Sequence, residues 1–171
     1  DGGVKAWADA GHRLYTGVYV PSKAFGEYVF HHDKTPEVTA EELLAWKSSG
    51  RDLVILDSRP LDEYRRKTIP GAIDCPSAEL PYRISGVVRS AKTVVVVNCG
   101  GRTRSIIGAQ ALINAGVENP VFALKDGTQG WHLKGHALAY NCTTHAPLPS
   151  VDGRARAQQS AARVAQRFGV Q

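Results

Sequence analysis

Cys99 carries the clearest chemical signal in this chain. It follows an aliphatic run, Thr93-Val94-Val95-Val96-Val97-Asn98, and precedes Gly100-Gly101-Arg102-Thr103-Arg104-Ser105. A helical pattern from Ser105 to Ala115 comes next, ended by Gly116. A buried strand of this kind delivers the cysteine into a tight loop, and the glycines let that loop curl with its backbone N–H groups facing inward. The helix that follows sets its positive end beneath the sulfur. Arg102 and Arg104 add fixed positive charge. Each of these would stabilise negative charge on the sulfur. The same cradle binds an anion, so a nucleophile and an anionic substrate would share one place. A lone free cysteine is ordinarily buried and inert. The glycines, the arginines and the strand–loop–helix setting are what distinguish Cys99.

The elements needed to hold such a loop are legible on both sides of it. Thr39-Ala40-Glu41-Glu42 is a capping box that opens a helix, with Leu43, Leu44 and Trp46 apolar and Gly50 as its end. Leu53–Leu56 is an apolar run too short for a helix, hence a buried strand closed by Asp57-Ser58-Arg59-Pro60. Leu61–Arg66 suits a short helix with Leu61 and Tyr64 turned inward, and Ile69-Pro70-Gly71-Ala72-Ile73 a turn into another strand. Ala78–Ile84, interrupted by Pro81, fits helix or loop. Val121–Leu124 is a further strand, and Asp126-Gly127 turns into a short helix through Trp131 that Gly135 ends. Strands alternating with helices imply an α/β fold, a mainly parallel sheet covered by helices on both faces. Cys99 then lies at the carboxyl end of a strand, where open α/β sheets place their ligands.

Composition narrows the function classes. The chain has 171 residues, 43% of them hydrophobic, which suits one globular domain with additional segments. Net charge is +5, of which +3 falls in residues 151–171 through Arg154, Arg156, Arg163 and Arg167 against Asp152. No basic stripe interleaves with aromatics, so nucleic-acid binding is not expected. No apolar run is long enough for a membrane span. The three cysteines, Cys75, Cys99 and Cys142, fit neither a zinc site nor a C-x-x-C pair, and the six histidines are scattered. No metal and no cofactor is expected. The odd cysteine count favours a reducing, cytoplasmic setting. Cys75, before Pro76, reads as a core residue and Cys142 as a linker residue.

The chain echoes itself. Asp1-Gly2-Gly3-Val4-Lys5-Ala6-Trp7, then Gly11-His12, resembles Asp126-Gly127-Thr128-Gln129-Gly130-Trp131, then Gly135-His136, with one residue of slippage. The opening residues, 1–16, read as the tail of a preceding module of the same kind. Residues 17–35 are then a linker or arm, 36–140 the main domain, and 141–171 a Pro/Gly-containing linker followed by a helix, Ala155–Phe168, leading towards a further module. With no methionine and this opening, the chain reads as a piece of a longer polypeptide.

Together these motifs resemble the rhodanese (sulfurtransferase) family. Leu56-Asp57-Ser58-Arg59-Pro60-Leu61-Asp62-Glu63-Tyr64 looks like its first motif, Ile69-Pro70-Gly71-Ala72-Ile73 its second, Cys99–Ser105 its active-site loop, and Asp126-Gly127 with Trp131 its closing motif. The resemblance covers about residues 36–140. It implies a rhodanese-like fold and a persulfide mechanism. Cys99 would take the outer sulfur of a small anionic donor such as thiosulfate and pass it to cyanide or a thiol. Gly100, Gly101, Arg102, Thr103, Arg104 and Ser105 would hold the substrate, Arg104 standing where many members carry an anion-binding arginine. Neighbouring rhodanese modules would be its partners within the parent chain. Two positions depart from the pattern: Arg102 stands where many members have glycine, and Thr68 where many have histidine.

Asp57, Arg59 and Glu63 support the site rather than react. A Glu four residues after an Arg at a strand-to-helix corner suits a charge-assisted bridge that locks the corner. Two other functions compete. Cysteine-dependent phosphatases place arginine six residues after the nucleophile, a position held here by Ser105, while Arg104 comes at five. The loop is one residue short of the cradle a tetrahedral phosphoryl group needs, so sulfur transfer is favoured. A non-catalytic regulatory or interaction module is the second competitor, and the presence of Cys99 argues against it.

Overall fold

The computed structural model describes residues 2–12 and 20–170. Its helices are α1 (Gly3–Asp9), α2 (Val20–Asp33), α3 (Ala40–Ser48), α4 (Leu61–Arg66), α5 (Leu80–Arg83), α6 (Thr103–Asn114), α7 (Gly127–Leu133) and α8 (Val151–Phe168). Its strands are β1 (Glu37–Val38), β2 (Leu53–Asp57), β3 (Ile73–Asp74), β4 (Val94–Asn98) and β5 (Val121–Leu124). They form one five-stranded sheet in the order β1-β5-β4-β2-β3, and every pairing within it is parallel. The expected α/β architecture, a parallel sheet with helices on both faces, is the one observed.

The alternation of side chains along the strands makes two cores. Val95 and Val97 of β4 face one way with Val54, Leu56, Val121 and Ala123; α2, α5 and α6 cover them through Val29, Leu80, Ile106, Ala109 and Leu112. Val94 and Val96 face the other way with Ile55 and Leu124, under Leu43 of α3, Tyr64 of α4 and Trp131 of α7. Because β4 is buried on both faces, all five of its residues are buried, and its sequence is continuously aliphatic up to Asn98 rather than alternating. Cys75 lies in the first core, where burial pushes its thiol up to about 12.

Local signals were reliable. The capping box forms, with Thr39 Oγ1 accepting from Glu42 N at 3.2 Å and Glu42 accepting from Thr39 N at 2.9 Å. Ala78–Ile84 resolves into a 3₁₀ turn over Ser77–Glu79, α5 with Pro81 in its first turn, and a second 3₁₀ turn over Ile84–Gly86. Proline is tolerated there because the first-turn N–H has no intrahelical acceptor.

The flanking segments are less loose than their composition suggests. The arm, over 20–33, is a helix packed on α6 with Val29 in the first core; residues 17–19 of the expected arm, and 13–16 of the expected tail before it, lie outside the described residues. The Pro-containing segment after residue 138 runs along the sheet edge. Thr68 and Ala139 exchange backbone bonds of 2.8 and 2.9 Å, Asp74 N donates to Thr144 O at 3.0 Å, and Ala146 N to Asp74 O at 2.9 Å. His145 Nδ1 meets the buried Asp74 carboxylate at 2.5 Å. Beyond it, Ser150 caps α8 by accepting from Gly153 N. None of the described helices is long and apolar enough to cross a membrane.

The internal echo has a structural counterpart, in a register without slippage. Trp7 sits over His12 with ring centroids 4.3 Å apart, and Trp131 over His136 at 4.7 Å. His12 N donates to Trp7 O at 3.2 Å as His136 N does to Trp131 O at 3.3 Å, and Gly11 and Gly135 both adopt left-handed φ, 78° and 81°. The environments differ. Trp131 is 3% exposed and donates from Nε1 to Ala137 O, whereas Trp7 is 55% exposed. Trp131→Ala is therefore expected to cost about 3–5 kcal/mol. Trp7→Ala is expected to cost less than about 1 kcal/mol. Urea unfolding of the two variants measures the contrast.

Candidate active site

β4 ends at Asn98, and its neighbour β2 ends level with it, Asp57 pairing with Asn98 across the sheet. Cys99 is the next residue. It is 1% exposed yet belongs to neither apolar cluster. The loop Cys99–Arg102 then leads into α6, whose first turn holds no acidic residue to offset the positive end of its dipole.

The N-terminus of α7 sets the orientation of the loop. Thr128 N donates to Cys99 O at 2.8 Å, and Gln129 N to Gly100 O at 3.0 Å. A trans peptide directs its N–H opposite to its C=O, and there are no cis peptides among the described residues. With those two carbonyls bound to α7, the N–H groups of Gly100 and Gly101 are directed away from it. Among the described residues, no protein acceptor takes the amides of residues 100–105. Gly127 makes the approach feasible: its φ is +52°, and a Cβ there would collide with the carbonyl oxygens of Cys99 and Gly101.

A buried polar network supports the strand ends. Asp57, fully buried, accepts from Arg59 Nε at 2.8 Å and Nη2 at 2.7 Å, from Thr68 Oγ1 at 2.6 Å and from Asn98 Nδ2 at 3.0 Å. Asn98 Nδ2 also reaches Thr128 Oγ1 at 2.9 Å, which ties the residue before the cysteine to the helix that holds its carbonyl. Arg59 donates further to Lys67 O at 2.7 Å. Thr68 thus supplies a hydroxyl to the hub.

The expected Arg59–Glu63 bridge is replaced. Arg59 turns inward to Asp57, and Glu63 pairs instead with Arg104, Nη1 to Oε1 at 2.8 Å and Nη2 to Oε2 at 2.9 Å. The reason is direction: α4 projects Glu63 to the surface, where Arg104 on α6 reaches it, while Arg59 fills the buried side of the corner. The Arg104 guanidinium beside it holds the Glu63 carboxyl below the usual range. Arg104 lies over the loop, its Nη2 3.5 Å from where a Cβ on Gly100 would be.

The remaining loop side chains have other partners. Arg102 donates to Glu27 of α2 and to Glu37 of β1, each at 2.6 Å, and its guanidinium stacks 4.5 Å from the Phe30 ring. Glu27 is held below its ordinary pKa by that hydrogen bond. Thr103 packs on Gly26 of α2. Ser105 Oγ donates to Arg102 O at 2.7 Å. The residues brought to the sulfur's surroundings are Gly100, Gly101 and Arg104, with Asp57, Arg59 and Glu63 behind or beside them. Asn98, Thr128, Glu27 and Glu37 were not anticipated. Asn98 had a signal, a polar residue ending an aliphatic strand; the two glutamates had none, lying 75 and 65 residues from Arg102.

Removing one partner from the buried Asp57–Arg59 pair strands a charge. Arg59→Met is expected to cost about 3–5 kcal/mol. Chemical denaturation measures it, and a loss under about 1 kcal/mol would show that the network does not hold the strand ends.

Comparison with known proteins agrees with this geometry. The rhodanese-like domain family matches residues 39–134, more than half of the chain. The crystal structure of a thiosulfate sulfurtransferase from Pseudomonas aeruginosa is 48% identical with a TM-score of 0.88, covering 99% of this chain and 32% of that one. A structure from Rhodopseudomonas palustris, of unknown function and described as a possible tyrosine phosphatase, is 24% identical with a TM-score of 0.57 over 74% of this chain and 100% of its own, a likeness of fold alone. An HTH-type transcriptional regulator of Mycobacterium tuberculosis is 32% identical over 98 residues, 57% of this chain and 42% of the regulator. The chain thus spans less than half the length of the sulfurtransferase and of the regulator. Loop, sheet order and family match converge on one conclusion: the chain belongs to the rhodanese-like domain family.

Proposed function

We propose that the chain is a sulfurtransferase of the thiosulfate type, with Cys99 as its nucleophile. The Cys99 thiolate attacks the outer sulfur of thiosulfate. The sulfur–sulfur bond of the donor breaks, its electron pair leaving with sulfite, and a new sulfur–sulfur bond joins the transferred atom to Cys99. The terminal sulfur carries the negative charge. Cyanide or a thiolate then attacks that sulfur, takes it as thiocyanate or a persulfide, and returns the thiolate. No metal or cofactor enters these steps.

One observation carries this reading: a cysteine at a strand end whose following carbonyls are bound by α7, leaving the amides of the loop without protein acceptors. Amides so placed would hold the anionic persulfide sulfur, and the α6 N-terminus would add its dipole. Arg104, the loop arginine with substantial solvent exposure, would meet the sulfonate end of the donor. Arg102, engaged by two carboxylates, would act on the loop's shape. The 48% identity to a thiosulfate sulfurtransferase supports the same choice.

A regulatory module without chemistry is the second reading, favoured by the similarity to a transcriptional regulator. We also infer that α1 is the closing turn of a second unit of this fold, which would bury Trp7 as the described domain buries Trp131. The matching ring contacts and backbone bonds of the two turns support it.

Incubation with thiosulfate is expected to add one sulfur atom to Cys99, read by intact mass, and to release sulfite when cyanide is present. Cys99→Ser is expected to abolish both, and equal release from the two proteins would leave the regulatory reading. Arg104→Ala is expected to raise KM for thiosulfate up to about tenfold, since a hydrogen bond to a charged group is worth roughly 1.5–3 kcal/mol before exposure weakens it. Steady-state kinetics checks this, and an unchanged KM would place the donor elsewhere.

A further inference from the structure

Every arginine around Cys99 already holds a carboxylate. Arg59 is locked to Asp57, the two side chains being 4% and 0% exposed. Arg102 is shared between Glu27 and Glu37, with Lys125 a further 3.7 Å from Glu37. Arg104 is held by Glu63 through both of its terminal nitrogens. A dianion entering this site would therefore find no unpaired guanidinium among these three.

The three pairs differ in how readily they open. Breaking Arg59–Asp57 strands a buried charge, which is prohibitive. Opening Arg102 means losing two carboxylates and a stacked ring on a neighbouring helix. The Arg104–Glu63 pair is different: its side chains are 42% and 39% exposed, so water solvates either partner once they part. Pairs of this kind are worth little in net terms. The contact is also bidentate, the geometry an oxyanion with two adjacent oxygens would adopt on the same fork. Cys99 is only 1% exposed, so Arg104 and Glu63 are the solvent-facing charges beside it.

We propose that Glu63 is a specificity-determining residue of this site: its carboxylate occupies the Arg104 fork, and an anionic donor binds by displacing it. This rests on the sulfurtransferase reading given above. Glu63 acts as a built-in competitor. Its hold on the fork must be broken by every anion alike, and the displaced carboxylate, still nearby, repels a doubly charged donor more than a singly charged one. The apparent affinity for any anion is reduced by the fraction of time Arg104 is engaged. When the donor leaves as sulfite, Glu63 returns to the fork and competes with the product.

The test uses Glu63→Gln, which keeps shape and removes charge. Thermal unfolding confirms that the variant is folded, and Glu63→Ala provides a second case. The donors are thiosulfate, with two charges, and an alkanethiosulfonate, with one and a sulfinate leaving group. KM for thiosulfate is expected to fall about threefold in Glu63→Gln at low ionic strength, and the gain to shrink in 1 M salt. Thiosulfate is expected to gain more from the change than the alkanethiosulfonate, because loss of the carboxylate charge relieves the doubly charged donor more. In an Arg104→Ala background the same change is expected to give a smaller gain, since only repulsion is relieved and no fork is freed; an equal gain in both backgrounds would overturn the competition.

A binding measurement separates this proposal from the sulfurtransferase reading. In Cys99→Ser, where no transfer can occur, Glu63→Gln is expected to tighten thiosulfate binding about threefold by calorimetry. Tighter binding without any sulfur transfer in the parent protein would keep the competition and remove the reaction. Transfer in the parent with unchanged or weaker binding in Glu63→Gln would overturn the competition and keep the reaction.

Discussion

Two backbone hydrogen bonds, from Thr128 and Gln129 of α7 to the carbonyls of Cys99 and Gly100, govern the site. They decide which way the loop's peptides face. A peptide that gives its oxygen to one side must present its N–H to the other. The remaining architecture serves this contact. Gly127 takes a left-handed φ because a side chain would block the approach. Trp131 anchors α7 in the second core, and Asn98 ties the end of β4 to Thr128. The cysteine is thus placed by a strand, while its surroundings are oriented by a helix that follows it in the chain.

Around that contact the charges are arranged in layers. The innermost pair, Asp57 and Arg59, is buried and saturated with hydrogen bonds, the condition under which an ion pair is tolerated in a core. Arg102 forms the flank, joined to α2 and β1. Arg104 and Glu63 form the solvent-facing layer, weak enough to exchange. Burial grades these three pairs from structural to exchangeable, though all are arginine–carboxylate contacts of similar length.

The segments outside the family match are part of this organisation. α2 lies before residue 39, where the family match begins, yet supplies Glu27, Phe30 and the Gly26 surface on which Thr103 rests. The segment after residue 134 completes the opposite edge, exchanging backbone bonds with Thr68 and Asp74. Arg102, which replaces a frequent glycine, gives the loop a reach towards α2 that glycine would lack. A rhodanese-like core is here extended by its own flanks, over one face by α2 and along the β3 edge by the segment after residue 138.

Much of this was legible in the sequence, because the signals were local. Aliphatic runs too short for helices, a capping box, glycine terminators and the Cys-Gly-Gly loop depend on neighbours a few residues apart, and each produced the element it implied. The parallel sheet followed from the alternation of strands and helices. What the sequence could not decide was which long side chain meets which. Arg59 and Glu63 share a corner and suit each other by spacing, yet the corner sends one inward and the other out. Arg102 finds its carboxylates 75 and 65 residues away. The identity of the residue proposed as nucleophile is written along the chain. The direction of its amides and the partners of its arginines exist only once helices and strands are packed, because an ion pair is chosen by distance in space and not along the backbone.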